Sequence, residues 1–535
     1  MSSAPLGQIA APSEPYRATG YSYYVLFILF TVYVLNYADR NILSILGEDV
    51  KRDLGLSDSQ LGFLYGTAFA VFYSLFGIAL GRLADVWVRV RLLTIGLSFW
   101  SAMTLVCGLA GNFGQLAAAR VGVGIGEASA APAGYSMLSD YFPKKQRGMA
   151  LAFYSSGIFV GSGLAFAVGG EVVEWWSRAF TPETRPFGLR GWQAAFFVIG
   201  FPGLVLALVC AFLKEPVRGL SDGITSPPHP RPFRAAFSEL FAVLPVTSFV
   251  HQKMHGASFN SLFKNALFAL FCALAAAALT WLFAGRDTVS ADAQQWTAIA
   301  IGVYCVFSWA QGLARRDAPT FVLIWQNPAF VLSVLAIGTI AMVGYSVGFW
   351  TPIYAIRVLE LPRDEVGWVI GFGSAITGWI GISVGGPLAD YWCRYSPRGR
   401  LYVIMLSVVL SLPLGLATFT AENTAAFYTL AVATNFSSTM WIGPAAANCQ
   451  DLVLPRMRGV ASASYLLSTT LIGLGLGPYM VGKISVETGN LQSAIMLLYT
   501  VPPVTLILLI FAAKVLPKAE QTRLERAKAA GEVLL

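Results

Sequence analysis

The chain has 535 residues, of which 56% are hydrophobic and 12% charged, and its mean hydropathy is +0.63. Soluble domains carry roughly 25% charged residues, so this composition excludes an ordinary soluble protein and points to one embedded in lipid. The formal charge of +8 is no signal for nucleic acid, because the Lys and Arg residues sit in short connections between apolar runs.

Residues 1–18, with Pro5, Pro12 and Pro15, read as a cytoplasmic tail. The apolar run from Tyr21 to Leu35 competes with a signal peptide. No small-residue cleavage pattern follows it, and it leads into Asn36-Tyr37-Ala38-Asp39-Arg40, so it reads as a retained first span. Apolar runs of about 20 residues, each enough to cross a bilayer, recur from there on. The connections alternate between mixed or uncharged ones and basic ones: Arg82, Arg89 and Arg91, then Lys144, Lys145 and Arg147, then Lys214 and Arg218. That alternation is the positive-inside pattern. It predicts six helices in 19–215 of a multi-pass membrane protein, with both termini cytoplasmic.

Residues 216–326 read as a linker. Phe233, Phe237, Leu240, Phe241 and Leu244 have the spacing of an amphipathic helix on the inner interface, ended by Pro245. Residues 261–284 and 294–313 are each long enough to span, and Arg315 and Arg316 return the chain to the basic side. A transmembrane hairpin results, for fourteen spans in all; a hairpin that dips in without crossing is the alternative. A second six-helix set fits 327–516, and 517–535 reads as a solvated cytoplasmic tail. The halves repeat in sequence: Gly81-Arg-Leu83-Ala84-Asp85-Val-Trp87-Val-Arg89 answers Gly386-Pro-Leu388-Ala389-Asp390-Tyr-Trp392-Cys-Arg394. Pro143-Lys-Lys-Gln-Arg147-Gly148 answers Pro455-Arg-Met-Arg458-Gly459. The expected fold is all-α and polytopic, with two parallel six-helix repeats and a binding site between them near the midplane.

The stretch Arg120-Val-Gly-Val-Gly-Ile-Gly-Glu127 puts two charges inside a lipid-built segment. Each costs about 2.5–3.5 kcal/mol on insertion scales, which makes such residues functional candidates. Seven residues are nearly two turns, so both side chains share one face about 10 Å apart along the axis. Asp39, late in the first span, lies at the depth of Arg120. Arg120 is therefore expected to pair with Asp39, leaving Glu127 as the group without a partner. A proton or an anionic substrate could then compete for the arginine, with Asp39 and Glu127 as proton-coupling groups. A static buried ion pair is the competing reading.

These motifs resemble a known family. The six-plus-six plan, with Gly81, Asp85, Arg89 and Arg91 after the second helix, resembles the major facilitator superfamily, although Val88 stands where a glycine is usual. The resemblance implies that Asp85 and Arg89, with Asp390 and Arg394 in the second half, hold the cytoplasmic side shut. Asn36-Tyr37-Ala38-Asp39-Arg40, Val123-Gly-Ile-Gly126-Glu127-Ala-Ser129 and Lys214-Glu215-Pro216-Val-Arg218-Gly219 are similar to signatures of the Spinster family of lysolipid and sphingosine-phosphate transporters, which has bacterial members. The hairpin departs from that family's twelve-helix norm.

Tyr154, Tyr345, Trp350, Asn435 and Trp441 are candidate contacts in the central cavity. The glycine runs are not phosphate loops, since no strand precedes them and no Lys-Ser/Thr follows. The six cysteines are scattered without C-x-x-C, and His229, His251 and His255 have no Cys or carboxylate cluster beside them, so no metal, cofactor or enzyme chemistry is expected. The expected function is that of a proton-coupled secondary transporter, and the family resemblance implies an amphiphilic, lipid-like substrate such as a lysophospholipid or sphingoid phosphate. It would work as a monomer in the inner membrane, with protons and the bilayer as its other partners. The alternatives are a carrier of small organic anions, a drug exporter, or a non-transporting receptor.

Overall fold

The computed structural model describes residues 17–219, 230–284 and 289–532, so most of the predicted tail 1–18, and His229, lie outside the described residues. Every regular element among these residues is helical. That is the outcome expected where no water is present to satisfy an open backbone. The first half comprises α1 (Gly20–Leu54), α2 (Asp58–Tyr65), α3 (Thr67–Val86), α4 (Arg89–Gly108), α5 (Phe113–Glu127), α6 (Ala130–Tyr141), α7 (Lys144–Ala179) and α8 (Gly191–Ala211). α2 and α3 together make the second span. The insert comprises α9 (Pro232–Val243), α10 (Thr247–Met254), α11 (Phe259–Phe283), α12 (Val289–Arg316) and α13 (Ala318–Ile324). The second half comprises α14 (Pro328–Arg357), α15 (Arg363–Cys393), α16 (Gly399–Phe419), α17 (Thr424–Thr439), α18 (Ile442–Asp451), α19 (Arg458–Ser468), α20 (Gly475–Thr488), α21 (Leu491–Leu498), α22 (Val501–Gln521) and α23 (Arg523–Ala529). A π-helical stretch, Thr469–Leu474, joins α19 to α20.

Among the described residues, twelve helices are long and apolar enough to cross a membrane, and both arms of the predicted hairpin are among them. The fourth and twelfth spans of the expected fourteen do not qualify as single helices, because each is divided: α5 from α6, and α17 from α18. The cause is the same in both halves. A proline cannot donate to the carbonyl four residues back and crowds it. Pro132 does this to Ala128 and Pro444 to Met440, the cap residues at which α5 and α17 stop. At the first break, the Ser129 hydroxyl takes up the Gly126 carbonyl at 2.8 Å. The repeat thus extends to a matched pair of helix breaks.

Two seams join the halves. Along the first, α2 and α3 meet α20 so closely that a Cβ on Gly62 would sit 2.3 Å from the Pro478 carbonyl oxygen. Along the second, α7 meets α15, where a Cβ on Gly163 would sit 2.7 Å from the Gly371 carbonyl oxygen. Both contacts are backbone against side-chain-free backbone, the arrangement that replaces hydrophobic driving force between helices in lipid.

The predicted amphipathic helix is present as α9, but it runs along α3. Phe233 packs on Trp87, Ala236 on Leu83 and Ala84, and Val243 reaches Val71 and Leu75. α10 then turns back at 111°, so the pair forms a sharp elbow. Phe237 and Phe241 point outward, as do Leu267, Phe271, Leu274 and Trp281 of α11. These are lipid-facing positions. The tail from 517 is also placed differently from a free solvated helix. Ala527 of α23 is buried, Arg526 donates to the Val322 carbonyl at 2.9 Å, and Arg456 clasps both Asp317 and Glu532.

Replacing Gly62 with Val should lower the thermal unfolding midpoint of the detergent-solubilised protein, the cost being about 1–3 kcal/mol or more because backbone opposes the new methyls. Gly77→Ala, with open space around its Cβ, should leave the midpoint unchanged. Equal midpoints for Gly62→Val and wild type would contradict the packing described. Arg456 holds the Asp317 carboxyl down to about 2, below the usual carboxylate range near 3.9. The docking energy it supplies is therefore complete above about pH 4 and fades as pH falls towards 2. Amide exchange in α23 should be slow and flat from pH 7 down to about 4, after correction for intrinsic rates, and fast at pH 7 in Asp317→Asn; a tail equally protected in that variant would refute the lock.

Candidate functional site

The site is built where α1 passes α3 and α5. Tyr37, Asp39, Arg40 and Asn41 lie on one turn of α1, and Arg120 and Glu127 lie on one face of α5. Arg40 binds Glu127, with its Nη2 at 2.9 Å and its Nε at 3.3 Å from Oε2. Both side chains are buried, at 4% and 0% exposure. The guanidinium lies over three rings, 4.6 Å from the centroid of Tyr37, 4.5 Å from Phe69 and 5.0 Å from Tyr73. Such faces add about 0.5–2 kcal/mol each towards holding a desolvated cation.

Arg120 does not form the expected pair with Asp39. It donates instead to backbone carbonyls of Asp39 at 3.1 Å, Arg40 at 3.3 Å and Leu64 at 3.4 Å. The Asp39 carboxylate lies beside Trp100 and Thr104 and faces Arg120 and Glu127 through the field alone. Two corrections follow. Glu127 is partnered, by Arg40, and Arg120 splices α5 to the α1 backbone while keeping its charge near Asp39. Sequence alone does not single out Arg40, because neighbouring residues on a helix point about 100° apart and Arg40 therefore faces away from Asp39. A four-bond side chain reaches across that angle.

The second half closes over this centre. Tyr345 of α14 is half-buried against both large hydrophobic cores and lies within electrostatic range of Arg40 and Tyr37. Asn435 sits between α15 and α17, accepting from Thr377 at 3.4 Å. The other candidates are packing residues. Tyr154 stacks on Tyr33 with centroids 4.3 Å apart, Trp350 is fully buried and donates to the Pro478 carbonyl at 3.0 Å, and Trp441 belongs to the core of the second half. Asn41 was not foreseen: it accepts from the Tyr65 hydroxyl at 2.9 Å and donates to Ser162 at 3.1 Å, linking α1 to α2 and α7.

One end of the molecule is sealed by charge. Arg357 of α14 donates to Glu48 at 2.7 Å and to Asp58 at 2.7 and 2.8 Å. Asp58 also takes Lys51 at 2.7 Å and Ser485 at 2.7 Å. Arg363 holds Asp49 at 2.9 Å, and the Ser44 hydroxyl donates to the Phe349 carbonyl at 2.6 Å. All of these except the Lys51–Asp58 pair cross from one half to the other. At the opposite, basic end the ion pairs of Arg89 and Arg400 each stay within a half. Buried Arg89 binds Asp140 at 2.5 Å, Glu215 at 2.8 Å and Ser136 at 2.8 Å, and Glu215 accepts the Val90 N–H at 2.9 Å. Arg400 pairs with Asp451.

The expected Asp85–Arg89 contact is therefore replaced. Arg89 turns to Asp140 and Glu215, while Asp85 is exposed, with Arg82, Arg218 and Arg89 as its cationic surroundings. Gly81 has open space around it, and Arg91, Asp390 and Arg394 are exposed. The motif residues that should close the basic end are not engaged with the other half here, as befits a molecule shut at its far end.

The sequence model of the Major Facilitator Superfamily matches residues 29–316 and 257–478. The chain belongs to the Major Facilitator Superfamily. Within it, this facilitator is similar to an MFS-type efflux pump of Mycolicibacterium smegmatis, at 25% identity over 458 residues, covering 86% of this chain and 83% of that protein. It is also similar to protein spinster homolog 1 of Xenopus laevis, at 24% identity over 493 residues, covering 88% and 75%. Its fold matches the crystal structure of a bacterial homolog of the human lysosomal transporter Spinster in an inward-facing, occupied conformation, with a TM-score of 0.64 and 23% identity over 95% of this chain and 99% of that one. A facilitator sealed at one end, with charge buried at its centre, is arranged to move a solute between two sides of a membrane.

If the Arg40–Glu127 pair is the organising contact, Glu127→Gln keeps a hydrogen-bond acceptor for Arg40 and should stay folded. Arg40→Leu strands a buried carboxylate, which costs about 3–5 kcal/mol, and should lower the yield of monodisperse protein sharply. Equal yields from the two variants would argue against the pairing.

Proposed function

We propose that this facilitator is a proton-coupled secondary transporter that works by alternating access and carries an amphiphile with an anionic head and a lipid-like tail, such as a lysophospholipid or a sphingoid phosphate. The observation that supports this most is the buried Arg40–Glu127 pair in its aromatic cage, at the level where the two halves face each other. With Glu127 ionised, the guanidinium is occupied. A proton on Glu127 removes the charge that holds Arg40, and the arginine can then donate two parallel hydrogen bonds to a carboxylate or phosphate. Substrate loss returns Arg40 to Glu127 and expels the proton. Proton and anionic head thus act on the same guanidinium, which couples them by linkage without any contact between the two.

Arg120 and Asp39 take a second part. Arg120 holds the α1 backbone beside Arg40, so it positions the site, and Asp39 balances its charge. Tyr37, Tyr73 and Tyr345 offer rings and hydroxyls to a headgroup. The positive-inside rule places the basic end and both termini in the cytoplasm of a bacterial inner-membrane protein. The charge-sealed end is then the outer one, and the state described is inward-facing. Similarity to spinster proteins over most of the chain supports the Spinster-like reading, and the lipid-like substrate is what that resemblance implies. A second reading, export of an amphiphilic drug, is favoured by the mycobacterial efflux pump and uses the same coupling site.

Uptake of labelled lysophospholipid into proteoliposomes, with and without a pH gradient, tests the proposal. Flux that follows the gradient in the wild type and loses that dependence in Glu127→Gln is the expected result. Gradient-driven flux unchanged in a folded Glu127→Gln would remove Glu127 from coupling, and gradient-driven flux of drugs but not of lysophospholipid would select the second reading.

A further inference from the structure

The insert between the halves has no part in the site above, yet it carries a second buried charge pair. Asp292 of α12 binds Lys483 of α20 at 2.7 Å, with 0% and 2% side-chain exposure, and Tyr479 donates to the other carboxylate oxygen. One turn further along α12, Gln295 is fully buried. Its amide nitrogen donates to the Gly475 carbonyl of the second half at 3.0 Å. The Thr67 hydroxyl of the first half meets both Gln295 and that same carbonyl. A single glutamine therefore sits on the line where α3 and α20 come together.

The insert rides on both halves. α12 lies between them, tied to α20 by the Asp292–Lys483 pair and packed on α3 through Tyr304 against Val71 and Leu75, whereas α9 is packed on α3 by Ala236 and Phe233. What joins α9 and α10 to α12 is a set of uncharged hydrogen bonds: Ser308 to the Ala242 carbonyl at 3.1 Å, Ser248 to Tyr304 at 2.7 Å and Gln252 to Gln311 at 2.9 Å. Past Gln295, side chains of the insert fill the space between α3 and the second half: Val243, Tyr304 and Trp309 pack with Val71 and Leu75 on one side and with Leu467 and Leu471 on the other. Any rocking that parts the charge-sealed end separates Thr67 from Gly475 and drives α3 and the second half towards the insert.

We propose that the insert is a strap across this seam, in which Gln295, held in place by the Asp292–Lys483 anchor, ties Thr67 to Gly475 and sets how often the sealed end opens. Gln295 and Thr67 are positioning residues for the transport cycle and touch no solute. Buried ion pairs are poor sources of net stability but good at fixing register, which is the part given to Asp292 and Lys483. Neutral hydrogen bonds between membrane helices are worth about 0.6 kcal/mol on average, weak enough for a seam that must open in each cycle.

The inference rests on alternating access, and its test separates the two. Spin labels at Thr181→Cys and Asn423→Cys, exposed positions in sealed-end connections of opposite halves, report opening as a distance distribution in the full chain, with half-buried Cys393 replaced by Ser. Arg357→Ala, which removes the charge seal, should add a long-distance population. Gln295→Leu and Thr67→Val should each raise that population about threefold or more over the labelled parent. If Arg357→Ala opens the end and both seam variants leave the distribution unchanged, the strap is refuted. If no variant, Arg357→Ala included, gives a second distance, alternating access itself fails. Agreement of two near-isosteric variants on opposite halves guards against a folding defect in either one.

Discussion

An arginine and a glutamate bonded to each other away from water are the constraint on which the rest of this structure depends. Alone, each would be expelled from lipid or neutralised; together they are held only because every surrounding element serves them. α1 and α5 must lie close enough for Arg40 to reach Glu127, and the bonds from Arg120 to the α1 carbonyls fix that approach. The rings of Tyr37, Phe69 and Tyr73 replace part of the lost hydration of the guanidinium. The break after α5 follows directly on Glu127, so the proline that divides this helix also ends it at the charged centre.

Function follows from the contrast between this centre and the two ends. The charge bonds of Arg357 and Arg363 at the sealed end cross between halves, while those of Arg89 and Arg400 at the basic end stay within a half. The same types of residue therefore lock one mouth and leave the other to be locked in a different state. A seam made of glycine against carbonyl suits that duty, because it packs closely without interdigitated side chains that would have to be pulled apart. The insert adds to the first seam a neutral, directional contact through Gln295.

Much of this was legible in the sequence, and the parts that were not have physical reasons. Alternating basic connections and the repeated Gly81–Arg89 and Gly386–Arg394 stretches carried the helical plan, because lipid leaves the backbone few choices. The matched breaks at Pro132 and Pro444 were open to the same reading, but a proline in a membrane helix bends it as often as it ends it. Asp39, Arg120 and Glu127 were found by cost alone. Their pairing was not, since depth along a helix says which charges share a level and not which ones a long side chain can reach. Arg89 went to Asp140 and Glu215 for a related reason: the loop motif names the residue, and the state of the molecule decides its partner. Tyr154, Trp350 and Trp441 were chosen by residue type, which does not separate a cavity wall from a core.

The central claim is that a proton and an anionic head compete through one guanidinium. Calorimetric binding of lysophospholipid to the purified protein, in buffers that differ in ionisation enthalpy, reads the proton exchange directly. Uptake of a proton with each substrate bound in the wild type, and none in Glu127→Gln with binding retained, is the result this account predicts. Binding that moves no proton in the wild type would contradict it.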